Sequence, residues 1–294
     1  MTSMPALSAN PWQQPFIPER LTPLPYTPVW AELQPAEQLR YNQLHGLYFH
    51  EQIIFFEQTI IVPLLRALQP HVANPELREA LTTFVEEEIR HSAGFHGLLR
   101  SLRPEWYAED FRHFVRLNPF ADATLAAMVR QPRVFPCFIW LVQLLEERAM
   151  FASRLYLADE SSFPADLVAL QRQHSIDEAD HLRWDAALIA QFWSGAAPGL
   201  RRLNTRLLHW MLGEFIAVPR RAALRVIDAL ATDLPGLSVP PARLKAELRI
   251  LARRPEFRRA VFGRDAVPRT WKQAAAAPDL GLFVHHWLAH EHTA

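Results

Sequence analysis

Cysteine is almost missing from this chain. Cys137 is the only one in 294 residues, so no internal disulfide can form, and a buried thiol in a reducing cytoplasm is the expectation. Glycine is scarce as well, nine in all, and none sits in a phosphate-cradling loop, which leaves nucleotide binding without support. Neither sign of charge is in excess: 31 Lys+Arg balance 31 Asp+Glu, so nothing favours nucleic acid or an anionic membrane as a partner. No uninterrupted apolar run approaches the ~18 residues a membrane helix needs. The longest, Val134 to Leu145, is broken by Pro136 and Gln143. The N-terminus lacks the basic start and apolar core of a secretion signal. These absences lead us to expect a soluble, cytoplasmic chain.

What is plentiful is apolar side chains, half of the sequence, and 24 prolines that act as punctuation. Residues 1–34 hold Pro5, Pro11, Pro15, Pro18, Pro23, Pro25 and Pro28, with Trp12, Phe16, Tyr26 and Trp30 between them. An extended arm packed on the body or on a second subunit is expected there, and its aromatics lead us to expect a homodimer. Helical periodicity then predicts helices over 35–68, bent at Pro63, and over 75–100, 132–158 and 164–192. Two short helices, 104–116 and 119–130, should connect the two pairs. Amphipathic stretches at 200–216, 220–231, 241–253 and 279–290 should cover the body. No convincing period-two alternation occurs, so the fold class is all-α. The body of the molecule should be 35–195 and the covering part 196–294, one domain overall.

One pattern occurs twice. Glu57 is followed 31 positions later by Glu88-x-x-His91, and Glu147 is followed 31 positions later by Glu178-x-x-His181, each residue 90 after its counterpart. A lone Glu-x-x-His carries little information. The shared partner offset carries more, and so do the turns. The midpoint of the first interval falls in Gln69–Pro75, and that of the second in Asp159–Pro164. In an antiparallel helix hairpin, residues equidistant from the turn lie at one height, here about 15 residues or roughly 23 Å along each helix. All four carboxylates can then meet in one layer. The offset also selects Glu147 over its neighbour Glu146, and Glu57 over Glu51.

Phase agrees with this. Phe84, Glu88, His91, Phe95 and Leu98 share one helical stripe, as do Leu167, His174, Glu178, His181 and Leu188. Carboxylates within apolar faces must be paired, neutralised or metal-bound. A hydrogen-bonded polar layer without metal is the plain alternative. Four carboxylates and two imidazoles from four helices form the ligand set of a di-metal centre in a four-helix bundle. Glu87 and Asp177, each preceding a ligating Glu, are candidates to accept the second ring N–H of the histidines. Arg154, seven residues after Glu147, is a weak candidate to hold a substrate carboxylate; a structural pairing, for example with Asp185, is favoured.

His174 breaks the symmetry, since its counterpart is Phe84. With it, residues 45–192 resemble the ferritin-like di-iron carboxylate superfamily. The segment Arg172-Gln-His-Ser-Ile-Asp-Glu-Ala-Asp-His181 resembles the p-aminobenzoate N-oxygenase family. That resemblance implies Glu57, Glu88, His91, Glu147, His174, Glu178 and His181 as ligands of two iron ions. It also implies O2-dependent oxidation of a small-molecule amine, with electrons from an external donor or reductase. A di-iron C–H hydroxylase or desaturase is the nearest alternative, and a ferroxidase or iron-binding protein a more distant one. Manganese is not separable from iron by spacing.

Overall fold

Proline sets where the helices begin. In a computed structural model of the chain, residues 10–213, 220–251 and 254–288 are described, and eight α-helices there start on proline. At the first helical position its fixed φ is already helical, and its missing N–H would have had no partner. The ends of the predicted stretches 200–216, 241–253 and 279–290 fall outside the described residues, as do the first nine residues of the arm.

The chain is all-helical, with no strand among the described residues. Helix α1 (Pro35–Phe56) passes through one widened π turn (Glu57–Ile61) into α2 (Val62–Leu68), and α3 (Pro75–Leu102) folds back on both. Short helices α4 (Pro104–Tyr107) and α5 (Pro119–Val129) lead to a second hairpin, α6 (Cys137–Ala158) and α7 (Ala165–Leu188), the latter ending in another π turn (Ile189–Trp193). The hairpins meet through α3 against α7, with the first π turn touching both α3 and α6. Beyond them run α8 (Pro198–Met211), α9 (Arg220–Asp233), α10 (Pro241–Leu251), α11 (Pro255–Phe262), α12 (Pro268–Ala275) and α13 (Gly281–Phe283). Helices α8 and α12 pack on α6, and α9 packs on α1.

Four local departures from the predicted elements have physical causes. The expected bend at Pro63 is a π turn instead: Val62 N–H reaches back to Glu57 O, which widens the helix just before the residue that has no N–H to donate. The helix expected over 104–116 stops at Tyr107. Beyond it, Phe114 N–H and Val115 N–H donate to the buried Glu51 carboxylate at 2.7 and 2.8 Å rather than to helical carbonyls. Helix α6 begins at Cys137 because Val134 and Phe135 spend their N–H groups on Gln131 O, in a turn. Helices α11 and α12 were not foreseen; each is eight residues, too short for periodicity to reveal.

The arm forms four short 3-10 turns and packs on the body of its own chain. Phe16 and Ile17 are buried, and their N–H groups donate to Asn42 Oδ1 at 2.9 and 3.3 Å. Gln43 Nε2 donates to the carbonyls of Trp12 and Gln14, and Tyr156 donates to Phe16 O at 2.7 Å. Polar side chains of the core helices therefore satisfy a backbone that proline bars from regular pairing. By length and mean hydropathy (1.2) the stretch Pro35–His71 could cross a membrane, although it holds no long uninterrupted apolar run. It packs against α3 and α9, half buried, as a core helix with Glu51 and Glu57 inside.

Gly46 is where the arm touches α1. A Cβ there would stand 2.5 Å from Phe16 Cβ and 2.9 Å from its carbonyl. Gly46→Ala should cost roughly 1–3 kcal/mol of stability through overpacking and speed tryptic cleavage after the exposed Arg20. A denaturation midpoint and cleavage rate equal to those of the wild type would mean the arm is not held there.

Candidate metal centre

The stripe on α3 buries Phe84, Glu88, His91 and Phe95, and that on α7 buries Leu167, His174, Glu178, His181 and Leu188. Apolar neighbours above and below each acidic turn keep water out. Glu57 enters from the widened π turn and Glu146 from α6, both buried. Two groups result: Glu57, His91 and His174 in one, and Glu88, Glu146, Glu178 and His181 in the other. In each group, one donor atom per residue lies within 4.8 Å of all the others, so each can hold a metal ion.

The groups adjoin. His174 Nε2 lies 2.7 Å from Glu178 Oε1 and 3.5 Å from Glu57 Oε1. His181 Nδ1 lies 3.3 Å from both Glu88 Oε1 and Glu178 Oε2, and 3.4 Å from Glu146 Oε2. His91 Nδ1 stands 3.5 Å from Glu88 Oε1 and 3.8 Å from Glu178 Oε1. Ser92 donates to Glu57 Oε2 at 2.6 Å and orients that carboxylate.

The outer ring nitrogens are held crosswise between the hairpins. His91 on α3 meets Asp177 of α7 at 2.9 Å, and His181 on α7 meets Glu87 of α3 at 3.0 Å. The imidazole is the donor to Asp177. Burial alone would raise that acid's pKa, but hydrogen bonds from His91, Arg90 and Gln173 outweigh it and keep the carboxylate ionised. This leaves Nδ1 of both rings facing the carboxylates with a lone pair to offer once the inner proton is lost. Glu87 and Asp177 thus stand where the sequence pattern suggested.

Without a cation the centre must store protons. Burial, then repulsion from Glu88, pushes Glu57 well above the ordinary carboxylate range, and burial raises Glu178 as well. Burial opposes a charge on His181, yet Glu178, Glu88 and Glu87 prevail and lift its pKa to about 10. Burial first, then His91 and His181, hold His174 well below its usual value and so neutral. Several donor atoms are buried with no hydrogen-bond partner: Glu57 Oε1, both oxygens of Glu88, and Nδ1 of His91. Oxygen and imidazole donors left open in this way suit a hard or borderline divalent ion. One turn past His181, Asp185 is also buried with both oxygens unpartnered, and burial raises its pKa strongly.

Two expectations need correction. Glu147 is buried but turned away from the centre: its carboxylate accepts N–H from Arg269 at 2.5 Å and Thr270 at 2.8 Å and so caps α12. Glu146 takes the inward position. Equidistance from a turn sets height along a helix, whereas one residue turns a side chain by about 100°. Nothing in the pair Glu146-Glu147 signals which faces in, and the partner of Glu147 lies in an unforeseen helix. Arg154 is exposed, donates to Asp265 O at 3.3 Å and pairs with neither a cleft group nor Asp185. The inward stripe of α6 runs through Glu146 and Ser153 instead, the latter buried and bonded to Gln171. Glu51, set aside as a ligand, is buried outside both groups, where Tyr107 donates to it at 2.6 Å.

A cleft of about 520 Å³, open mouth included, leads to the centre between α1 and α6. Phe49, Ile53, Phe56 and Leu145 are among its walls, and Glu57, Glu88, Glu146, Glu178 and His174 line its inner end. Comparison with protein-family profiles and with curated proteins returned no match.

Two measurements follow. Glu146→Gln should lower metal content with little loss of stability. Glu147→Gln should keep the metal and lose about 0.5–2 kcal/mol, as expected for a lost helix cap. Elemental analysis and thermal melts separate the two, and the reverse pattern would restore Glu147 to the centre. The second concerns pH. With a folded pKa of about 10 against an unfolded value near 6.5, His181 contributes stability fully below the lower value and loses it as pH rises through the upper one. Glu57, raised, acts in the same direction. Metal-free protein should therefore lose stability between about pH 7 and 10, and bound metal, replacing those protons, should flatten the profile. Urea midpoints falling equally with and without metal would count against the site.

Proposed function

We propose that the two hairpins form a ferritin-like four-helix bundle that houses a di-iron centre. On this reading the protein is an O2-dependent monooxygenase that N-oxygenates an amine. The observation that supports this most is the pair of adjoining donor groups, four carboxylates and three imidazoles, at the inner end of an apolar cleft. Glu57, His91 and His174 would hold one ion, and Glu88, Glu146, Glu178 and His181 the other. Four carboxylate charges balance two divalent cations, which removes most of the cost of burying either set alone. When bound, iron supplies the electrons that reduce O2, as a d¹⁰ zinc ion cannot.

The chain's own contribution is to position and exclude. Asp177 and Glu87 fix the rings of His91 and His181, so that each presents Nδ1 inward. Ser92 fixes Glu57. His174 has no such acid; its Nδ1 is buried without a partner, so its hold on the centre is through Nε2 alone. The apolar walls keep bulk water from the reacting nitrogen. In the first step one oxygen atom passes to the amine, giving a hydroxylamine, and the other leaves as water with two protons and two electrons. Those electrons come from an external reductase or reductant, since the chain has no nucleotide-binding loop.

The test is stopped-flow absorption of anaerobic protein, loaded with two Fe(II) per chain, mixed with O2 in the presence and absence of p-aminobenzoate. We expect a transient visible absorbance that decays faster with the amine, together with hydroxylamine or nitro product. A transient indifferent to amines would move the assignment to C–H substrates, and iron merely oxidised and retained would favour a ferroxidase. His174→Ala should retain most of its iron, six ligands remaining, and lose nearly all N-oxygenation. Full activity in that variant would remove His174 from the mechanism.

A further inference from the structure

Most half-buried arginines of this protein meet an acid or a carbonyl: Arg225 donates to Phe114 O and Arg258 to His286 O, and the rest pair with carboxylates. Arg40 and Arg103 share Asp233, Arg112 pairs with Asp122, Arg201 with Asp279, and Arg254 with Glu247. Arg148 does not. It lies two residues past Glu146 on α6, lines the cleft, and makes no hydrogen bond or ion pair among the described residues. Its one specific contact is the ring of Phe262, 5.0 Å from the guanidinium carbon. Its guanidinium is half-buried in the cleft wall with no acid beside it. The buried Tyr48 hydroxyl is also without a hydrogen-bond partner among the described residues.

A half-buried cation with no counter-ion beside it is open to an anion that enters the cleft. Fully apolar walls would have done for an entirely apolar ligand, and the carboxylates at the inner end do not come within ion-pair distance of this guanidinium. The group it lacks is an anion, and the fork of a guanidinium suits the two oxygens of a carboxylate. We propose that Arg148 is the receptor for a carboxylate on the ligand that enters this cleft. The ligand's apolar body would lie along Phe49, Ile53 and Phe56, with its other end at the centre. That the other end is where reaction occurs rests on the function proposed above; the carboxylate site does not.

The experiment is calorimetric titration of benzoate and its neutral counterpart benzamide into the full chain, with and without Zn(II). Wild type, Arg148→Gln and Arg148→Lys are compared. We expect benzoate to bind wild type at least about tenfold more tightly than benzamide, Arg148→Gln to lose that preference, and Arg148→Lys to keep part of it. Thermal melts distinguish a structural role. If Arg148 served the fold through Phe262, Arg148→Gln would melt earlier; removing a half-buried charge that has no partner should leave the melting temperature unchanged or higher. Equal binding of the two probes, no binding at millimolar concentration, or a benzoate preference that survives in Arg148→Gln would each overturn the proposal. A preference that survives only with Zn(II) would place the anion on the metal instead. Because zinc does not reduce O2, failure of the oxygenase reading would leave these titrations interpretable.

Discussion

Burying acids and imidazoles in the same layer is the constraint on which the rest of this molecule depends. Glu57, Glu88, Glu146, Glu178, His91, His174 and His181 lie inside an apolar core where no one of them is tolerable alone. They become tolerable only across the hairpin interface. His91 needs Asp177 of the opposite hairpin and His181 needs Glu87. Each such charge-assisted hydrogen bond is worth about 1.5–3 kcal/mol. The face-to-face orientation of α3 and α7 is therefore specified by polar pairing as well as by apolar contact, because a slip of either helix would strand a charged ring.

A related device organises the periphery. Two of the helices that send a carboxylate inward send another outward to order covering backbone. On α1, Glu57 points to the centre while Glu51 receives the N–H groups of Phe114 and Val115 and the Tyr107 hydroxyl. On α6, Glu146 points to the centre while the adjacent Glu147 caps α12. Asn42 and Gln43 do the same for the proline-rich arm with neutral amides. The covering segments are thus pinned to the same helices that carry the centre, and disturbing one should be felt by the other.

The proton inventory of the centre links folding to its occupancy. Without a cation, the raised pKa values of Glu57, Glu178 and His181 describe a layer that stays near neutrality by holding protons. A divalent ion competes for those same positions, so its binding is coupled to proton release. The cleft adds a second electrostatic feature, a lone cation on a wall near four acids.

Much of this was legible in the residues alone. Proline at helix starts, 3.6-residue periodicity and the two turns placed the helices of both hairpins, and the doubled Glu…Glu-x-x-His pattern located Glu57, Glu88, His91, Glu178 and His181. The acids Glu87 and Asp177 are legible too, since a metal-binding histidine calls for an acid at its second ring nitrogen and each stands beside a Glu of the pattern. What the sequence could not decide were rotations and distant partners. Glu146 and Glu147 differ by one position and about 100° of helix, and only the packing of α12, 122 residues along the chain, takes Glu147 away. Arg154 likewise loses its expected place because the inward stripe of α6 passes through Glu146 and Ser153. Sequence by itself determined which elements form and at what height their acids lie, since both follow from local periodicity. Tertiary structure decided which way those acids turn, because that depends on partners the local sequence does not contain.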